Sequence, residues 1–229
     1  TKPDHNNKRQ KLIRRTVFST PIITPCLRCL SIVLLKLIGW KAVGRPTENA
    51  RFVLIGAPHT SNWDFMLMLA MLLHLHLDAR WLGKHTLFRF PFGGLMRWLG
   101  GIPVDRSQPQ NLVPETAQWL RSNPHTVLCV PPEGTRKKVD HWKTGFYFIA
   151  LRAGVPILMT AVDGENRKIR VLGTFLPSGE AEREILEIQQ HYVKFRGIVA
   201  ENTCDFSGPL NPRIKRPVVA PENSPSHDR

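Results

Sequence analysis

Residues 51–57, Arg-Phe-Val-Leu-Ile-Gly-Ala, run straight into Pro58-His59-Thr60-Ser61-Asn62-Trp63-Asp64. After Arg51 the first run is apolar without interruption, the pattern of a strand buried on both faces. After Asp64, residues 65–77 are apolar all round, which suits a helix that is buried or faces lipid. A strand therefore hands over to a helix here, and a histidine and a carboxylate sit in the handover.

In a continuous helix, residues five apart point about 140° away from each other, so His59 and Asp64 would not meet. With a helix starting at Ser61 or Asn62, His59 lies in the preceding turn and folds back on the first turn. Asp64 then orients one ring nitrogen, and the other is free to take a proton. The same residues also read as an ordinary helix start. Ser61-x-x-Asp64 fits a capping box with Asp in place of Glu, and Asp64 suits the positive end of the helix dipole. On these residues alone both readings stand.

Outward from this stretch, strand and helix patterns alternate. Strands are expected at 79–83, 102–105, 126–130, 156–162 and 168–175. Helices are expected at 64–77, 91–99, 112–122, 145–153 (closed by Gly154) and 179–195. The alternation predicts an α/β domain, a mixed and largely parallel sheet flanked by helices.

The ends differ in composition. Residues 1–16 carry Lys2, Lys8, Arg9, Lys11, Arg14 and Arg15 against Asp4 alone, a flexible basic arm. Residues 26–40 read as a helix that is apolar on most faces, with Arg28 and Lys36 inside it. It is shorter than the about 20 apolar residues that span a bilayer. An amphipathic helix lying in the membrane interface, its cations snorkelling to the headgroups, is expected, and the residues alone leave open a span or a helix packed on the domain. After Pro209 the chain is rich in Pro, Ser and Asn and reads as disordered. The expected division is 1–44 for arm and membrane helix, 45–208 for the catalytic domain and 209–229 for the tail.

The chain carries 32 basic against 18 acidic side chains, a net +14. That field favours an anionic partner: nucleic acid, an anionic membrane surface or a phosphorylated substrate. No glycine-rich nucleotide loop and no nucleic-acid-binding motif is present. Cys26-x-x-Cys29 has no second pair, since Cys129 and Cys204 are isolated, so the spacing argues against zinc and for reduced thiols.

Two arginines follow expected strands. Arg106 ends Gly100-Gly101-Ile102-Pro103-Val104-Asp105-Arg106, and Arg136 ends Pro131-Pro132-Glu133-Gly134-Thr135-Arg136. Glycine lets a ligand approach the backbone, and a guanidinium fork fits phosphate. Ligands of open parallel sheets collect at the carboxyl ends of the strands. Singly, each arginine reads equally as a surface ion pair with Asp105 or Glu133.

In combination these motifs are recognisable. His59-x4-Asp64, Gly101-Ile-Pro-Val-Asp-Arg106, Glu133-Gly-Thr-Arg136 and Val155-Pro156-Ile157 resemble, in order and spacing, the four motifs of the glycerolipid acyltransferases (PlsC-like lysophosphatidic acid acyltransferases). Lys84-His-Thr-Leu-Phe with Pro91-Phe-Gly resembles the family's segment between the first two motifs. The resemblance covers residues 45–175. Pro103, Pro131 and Trp142 depart from it, and they surround the acceptor pocket that it implies.

The resemblance implies acyl transfer from acyl-CoA or acyl carrier protein to a lysophospholipid hydroxyl, most directly 1-acylglycerol-3-phosphate. His59 would be the general base and Asp64 its orienter. Arg106 would bind the acceptor phosphate, with Glu133, Gly134, Thr135 and Arg136 shaping the pocket and Lys84 assisting. Val155, Pro156 and Ile157 would line the acyl side. It implies no metal, no cofactor beyond the thioester donor, no nucleic acid, and a peripheral or monotopic position on the cytoplasmic face of an anionic membrane. The alternatives are another lysolipid or alcohol acceptor, a thioesterase with His59 activating water, a catalytically silent lipid binder, and a basic nucleic-acid-binding protein.

Overall fold

The computed structural model describes residues 15–46, 51–104 and 109–206. Arg106, most of the basic arm and the tail expected at 209–229 lie outside the described residues.

Seven strands form one sheet: β1 (Lys41–Val43), β2 (Phe52–Ala57), β3 (Ala79–Lys84), β4 (Gly101–Val104), β5 (Val127–Val130), β6 (Ile157–Asp163) and β7 (Lys168–Phe175). Their order is β1-β7-β6-β2-β5-β3-β4. Strands β2 to β6 are mutually parallel, β7 is antiparallel to β6, and β1 pairs in parallel with β7. The sheet is thus mixed and largely parallel. The carboxyl ends of β2, β3, β4, β5 and β6 all lie along one edge.

Alternation along β2 divides the core. Val53, Ile55 and Ala57 face one cluster, filled from α4 (Pro109–Arg121), α5 (Gly145–Ala153) and α6 (Ala181–Gln190) by Ala117, Leu120, Phe146, Ile149, Ile185 and Ile188. Phe52 and Leu54 face the other, filled from α1 (Ile23–Leu37) and α2 (Trp63–His74) by Leu35, Leu67, Met71 and Leu72. Helices therefore cover both faces, as the uninterrupted apolar run of β2 requires.

Several expectations are corrected. Strand β1 escapes sequence reading because three residues cannot show a period. The helix expected at 91–99 is only α3 (Gly93–Trp98), preceded by a 3-10 turn at His85–Phe88 and a cis Phe90–Pro91 bond. The helix expected at 179–195 stops at Gln190. The chain then tightens, with Tyr192 N–H donating to Gln189 O and Phe195 N–H to Tyr192 O, and Tyr192 and Phe195 are buried. Trp142, expected near the acceptor pocket, is buried at the centre of the core, edge-on to Phe146, Tyr192 and Phe206.

The N-terminal segment is built into the domain. Val17, Phe18 and Leu35 are buried in the second core cluster. Helix α1 has an inverted character: its buried positions are Thr24, Ser31 and Leu35, while Ile23, Leu30, Ile32, Val33, Leu34 and Leu37 face out. The inward hydroxyls are satisfied locally, Thr24 Oγ1 donating to Val17 O and Ser31 Oγ to Arg28 O. Among the described residues no helix is long and apolar enough to cross a membrane.

Candidate active site

The carboxyl end of β2 delivers His59 through a cis Ala57–Pro58 bond. Helix α2 begins at Trp63, which leaves His59 in the preceding turn. Its Nδ1 lies 3.1 Å from Asp64 Oδ2. The same oxygen accepts the Thr60 N–H at 2.6 Å and the Ser61 N–H at 2.7 Å. A carboxylate receiving two backbone N–H bonds is an acceptor, so Nδ1 carries the proton that it shares with Asp64. Nε2 is then the basic nitrogen. His59 keeps 23% of its side chain exposed against 5% for Asp64, so the base is reachable and its orienter is not.

The helix-start reading also holds. The Ser61 N–H and Asp64 make one half of a capping box, and Ser61 Oγ accepts the Trp63 N–H at 3.2 Å. The cap and the His59–Asp64 contact are one arrangement.

Glu133 follows β5, the neighbour of β2. It is only 3% exposed, and its Oε1 accepts the His59 backbone N–H at 3.2 Å. It holds the backbone of the histidine turn. Burial pushes its carboxyl up to about 7, against the pull of its own backbone N–H, that of His59 and the His59 charge.

Gly134 turns the chain at φ +65°, and its N–H donates to Pro131 O. A Cβ there would lie 2.8 Å from Lys143 Nζ, so the lysine packs over this turn. Thr135 Oγ1 accepts the Lys137 N–H at 3.4 Å, which shapes the turn further. Arg136 is exposed and donates to Asn62 Oδ1 at the start of α2. His59, Glu133 and Arg136 therefore converge. Lys84 ends β3 exposed on the same sheet edge.

Val155, Pro156 and Ile157 do not join them. Ile157 begins β6 opposite Val53, four register steps before Ala57 pairs with Ala161. The triplet lies at the other edge of the sheet, with Val155 and Ile157 buried in the core.

Sequence reading missed a second support of the histidine turn. Thr60 Oγ1 accepts the Val199 N–H at 3.1 Å, and Thr60 O accepts from Asn202 Nδ2 at 3.4 Å. A Cβ on Gly197 would lie 2.4 Å from Thr60 Oγ1. The only hint in the sequence is a glycine after Phe195-Arg196. Among the described residues no cluster of metal-binding side chains occurs. Cys26 and Cys29 are exposed, and Cys129 is buried with its thiol pushed up to about 12 by burial.

A family model described as acyltransferase matches residues 44–162, more than half of the chain. The chain belongs to this acyltransferase family. The match contains His59, Asp64, Lys84, Glu133, Arg136 and the 155–157 triplet. Among curated acyltransferases, the chain is 28% identical over 149 residues to a 1-acyl-sn-glycerol-3-phosphate acyltransferase of Haemophilus influenzae, covering 60% of this chain and 60% of that protein. It is 30% identical over 96 residues to the Escherichia coli protein of that description, 39% of each chain. The chain thus spans less than two thirds of the length of either relative. The crystal structure of the 1-acyl-sn-glycerophosphate acyltransferase PlsC from Thermotoga maritima superposes with a TM-score of 0.53 at 17% identity, over 76% of this chain and 81% of that one. That likeness shows a shared acyltransferase fold.

Proposed function

We propose that this acyltransferase moves a fatty acyl group from a thioester, acyl-CoA or acyl carrier protein, to the hydroxyl of a lysophospholipid, with 1-acylglycerol-3-phosphate the leading acceptor. The observation that carries the reading is the His59–Asp64 contact, with Nδ1 held by a buried carboxylate and the histidine side chain still 23% exposed. The acceptor hydroxyl gives its proton to Nε2 while its oxygen attacks the thioester carbonyl. The tetrahedral adduct collapses, and the thiolate leaves with the proton returned by His59. Ester and free thiol are the products, no acyl-enzyme forms, and the substrate takes the nucleophile's place in a Ser-His-Asp arrangement. Asp64 stabilises the imidazolium formed in between.

Arg136 and Arg106 supply guanidinium forks for the acceptor phosphate, with Lys84 assisting from β3. The names of the two curated relatives favour phosphate on the acceptor. The outward apolar face of α1 and the net charge of +14 support attachment to an anionic membrane surface, peripheral or monotopic and on the cytoplasmic face.

The test is to incubate the protein with several acyl thioesters and a panel of lysolipids and to identify products by mass. Acylated 1-acylglycerol-3-phosphate is expected, and Arg106→Ala should raise the acceptor KM with kcat kept. Free fatty acid with no acylated acceptor would replace transfer by thioester hydrolysis.

A further inference from the structure

The segment joining β3 to α3 holds aromatic side chains in solvent on a fixed frame. Phe88 is its anchor, buried against Trp81 with ring centroids 5.9 Å apart. Its ring also lies close over Gly83 and Gly101, where an added Cβ would meet it at 2.9 and 2.8 Å. Arg97 stacks 5.4 Å over the Phe88 ring and donates to Phe88 O and Gly93 O. Gly93 N–H closes back on Arg89 O at 2.8 Å. On this frame Phe90 is 98% exposed and Phe92 64%, with Leu87 and Leu95 also exposed. Single exposed apolar residues are ordinary, but four within residues 87–95 form a patch that marks an interaction surface.

The fold locates the patch. The segment springs from Lys84, at the sheet edge that also carries His59. Trp63 and Met66, at the start of α2 beside His59, are exposed too. Trp98 Nε1 donates to Thr20 Oγ1 at 3.1 Å, which roots α3 beside the start of α1. There Ile22 and Ile23 are exposed and lead into the outward apolar face of α1. Arg89, next to Phe90, and Lys84 are exposed cations on the same segment, in a chain of net charge +14.

We propose that residues 87–95 are a membrane-inserting wedge. Phe90 and Phe92 enter the headgroup–acyl boundary of an anionic leaflet, and Arg89 meets its phosphates. A protein surface would need a shaped counterpart, whereas a lipid leaflet accepts two protruding rings flanked by cations. The wedge holds the catalytic edge at the bilayer, where a lysolipid is dissolved. The inference goes beyond acyl transfer and does not rest on it, because lipid binding is measured without turnover.

The test uses the full chain and vesicles of phosphatidylcholine containing a fraction of phosphatidylglycerol. The double variant F90S/F92S should raise the apparent Kd for these vesicles by about 10- to 100-fold, with its thermal unfolding midpoint unchanged. Phe90→Trp should gain fluorescence that is quenched by lipids brominated on their acyl chains. A change in vesicle affinity of two-fold or less, or no quenching in Phe90→Trp, overturns the wedge. So does an F90S/F92S variant that loses self-association or carrier-protein binding while keeping its vesicle affinity, since the patch then docks protein. Should F90S/F92S misfold, the quenching measurement alone settles the matter.

Discussion

Asp64 Oδ2 serves the helix start and the imidazole at once, and substitutions separate the two duties. Asp64→Asn keeps an oxygen for the Thr60 and Ser61 N–H groups but loses the charge that stabilises the imidazolium. It should lower kcat by about 10²- to 10⁴-fold with little change in unfolding free energy. Asp64→Ala should add a stability loss of about 1–2 kcal/mol in denaturant titration, the cost of a missing cap. His59→Ala should match Asp64→Asn in activity and stay folded; full turnover by purified His59→Ala would sink the general-base mechanism. Glu133 calls for a different pair. Glu133→Gln retains an oxygen for the His59 N–H and should keep most of the activity, while Glu133→Ala should lose it. Burial raises this carboxyl from 4.5 to about 7, so the unfolded chain gives up the proton first. The stability it contributes is whole below pH 4.5 and is lost as pH rises through about 7, by up to about 3 kcal/mol. Relative to wild type, Glu133→Gln should therefore gain in thermal midpoint as pH rises across that window. Parallel pH profiles for the two proteins would place the carboxyl in water.

At the scale of elements, the histidine turn is clamped between two distant segments. Glu133 holds it from the end of β5, and residues 197–202 hold Thr60 from the far end of the domain. Gly197→Ala would drive a methyl into Thr60 and should cost about 1–3 kcal/mol through overpacking. It should lower kcat more than it raises either KM, and equal effects on both substrates' KM would point to a general loosening instead. These clamps also mark where sequence reading stops. Apolar runs and alternation located β2, β3, β5, β6 and β7 within a residue or so, because each strand's pattern is local. The pairing of Gly197 with Thr60 joins positions far apart in the chain, and no local pattern carries it. Glu133 was legible as a site residue from its glycine-threonine-arginine context, but its inward direction was not. Direction depends on which face of β5's exit the core occupies. The 155–157 triplet has the apolar character of any strand start, so its placement at the opposite sheet edge was not legible either.

For the whole molecule, the parallel block from β2 to β6 gathers every strand exit on one edge. That is why motifs scattered over residues 59–136 reach one place, and why strand-end reasoning located His59 and Arg136 together. Lipid attachment belongs to this scale. Deleting the first 40 residues is a poor test, since Val17, Phe18 and Leu35 would leave the core with them. Leu30→Ser with Leu37→Ser alters only outward positions of α1. It should weaken binding to anionic vesicles by about 10-fold or more, and added salt should weaken the remainder. Binding indifferent to both changes would move attachment elsewhere on the surface.

Helix α1 is not a loose appendage, because the chain that leaves it becomes β1 within four residues. Its end is pinned by the Trp40 N–H on Leu35 O, and Lys41, Ala42 and Val43 then register against Lys168, Ile169 and Arg170. A force applied to α1 is therefore delivered to the outermost rung of the sheet. Under tension, three short pairings at that margin would peel first, with β7 and β6 standing as a buffer between them and β2. A pull on α1 crosses three strands, β1, β7 and β6, before it reaches the one that carries the histidine.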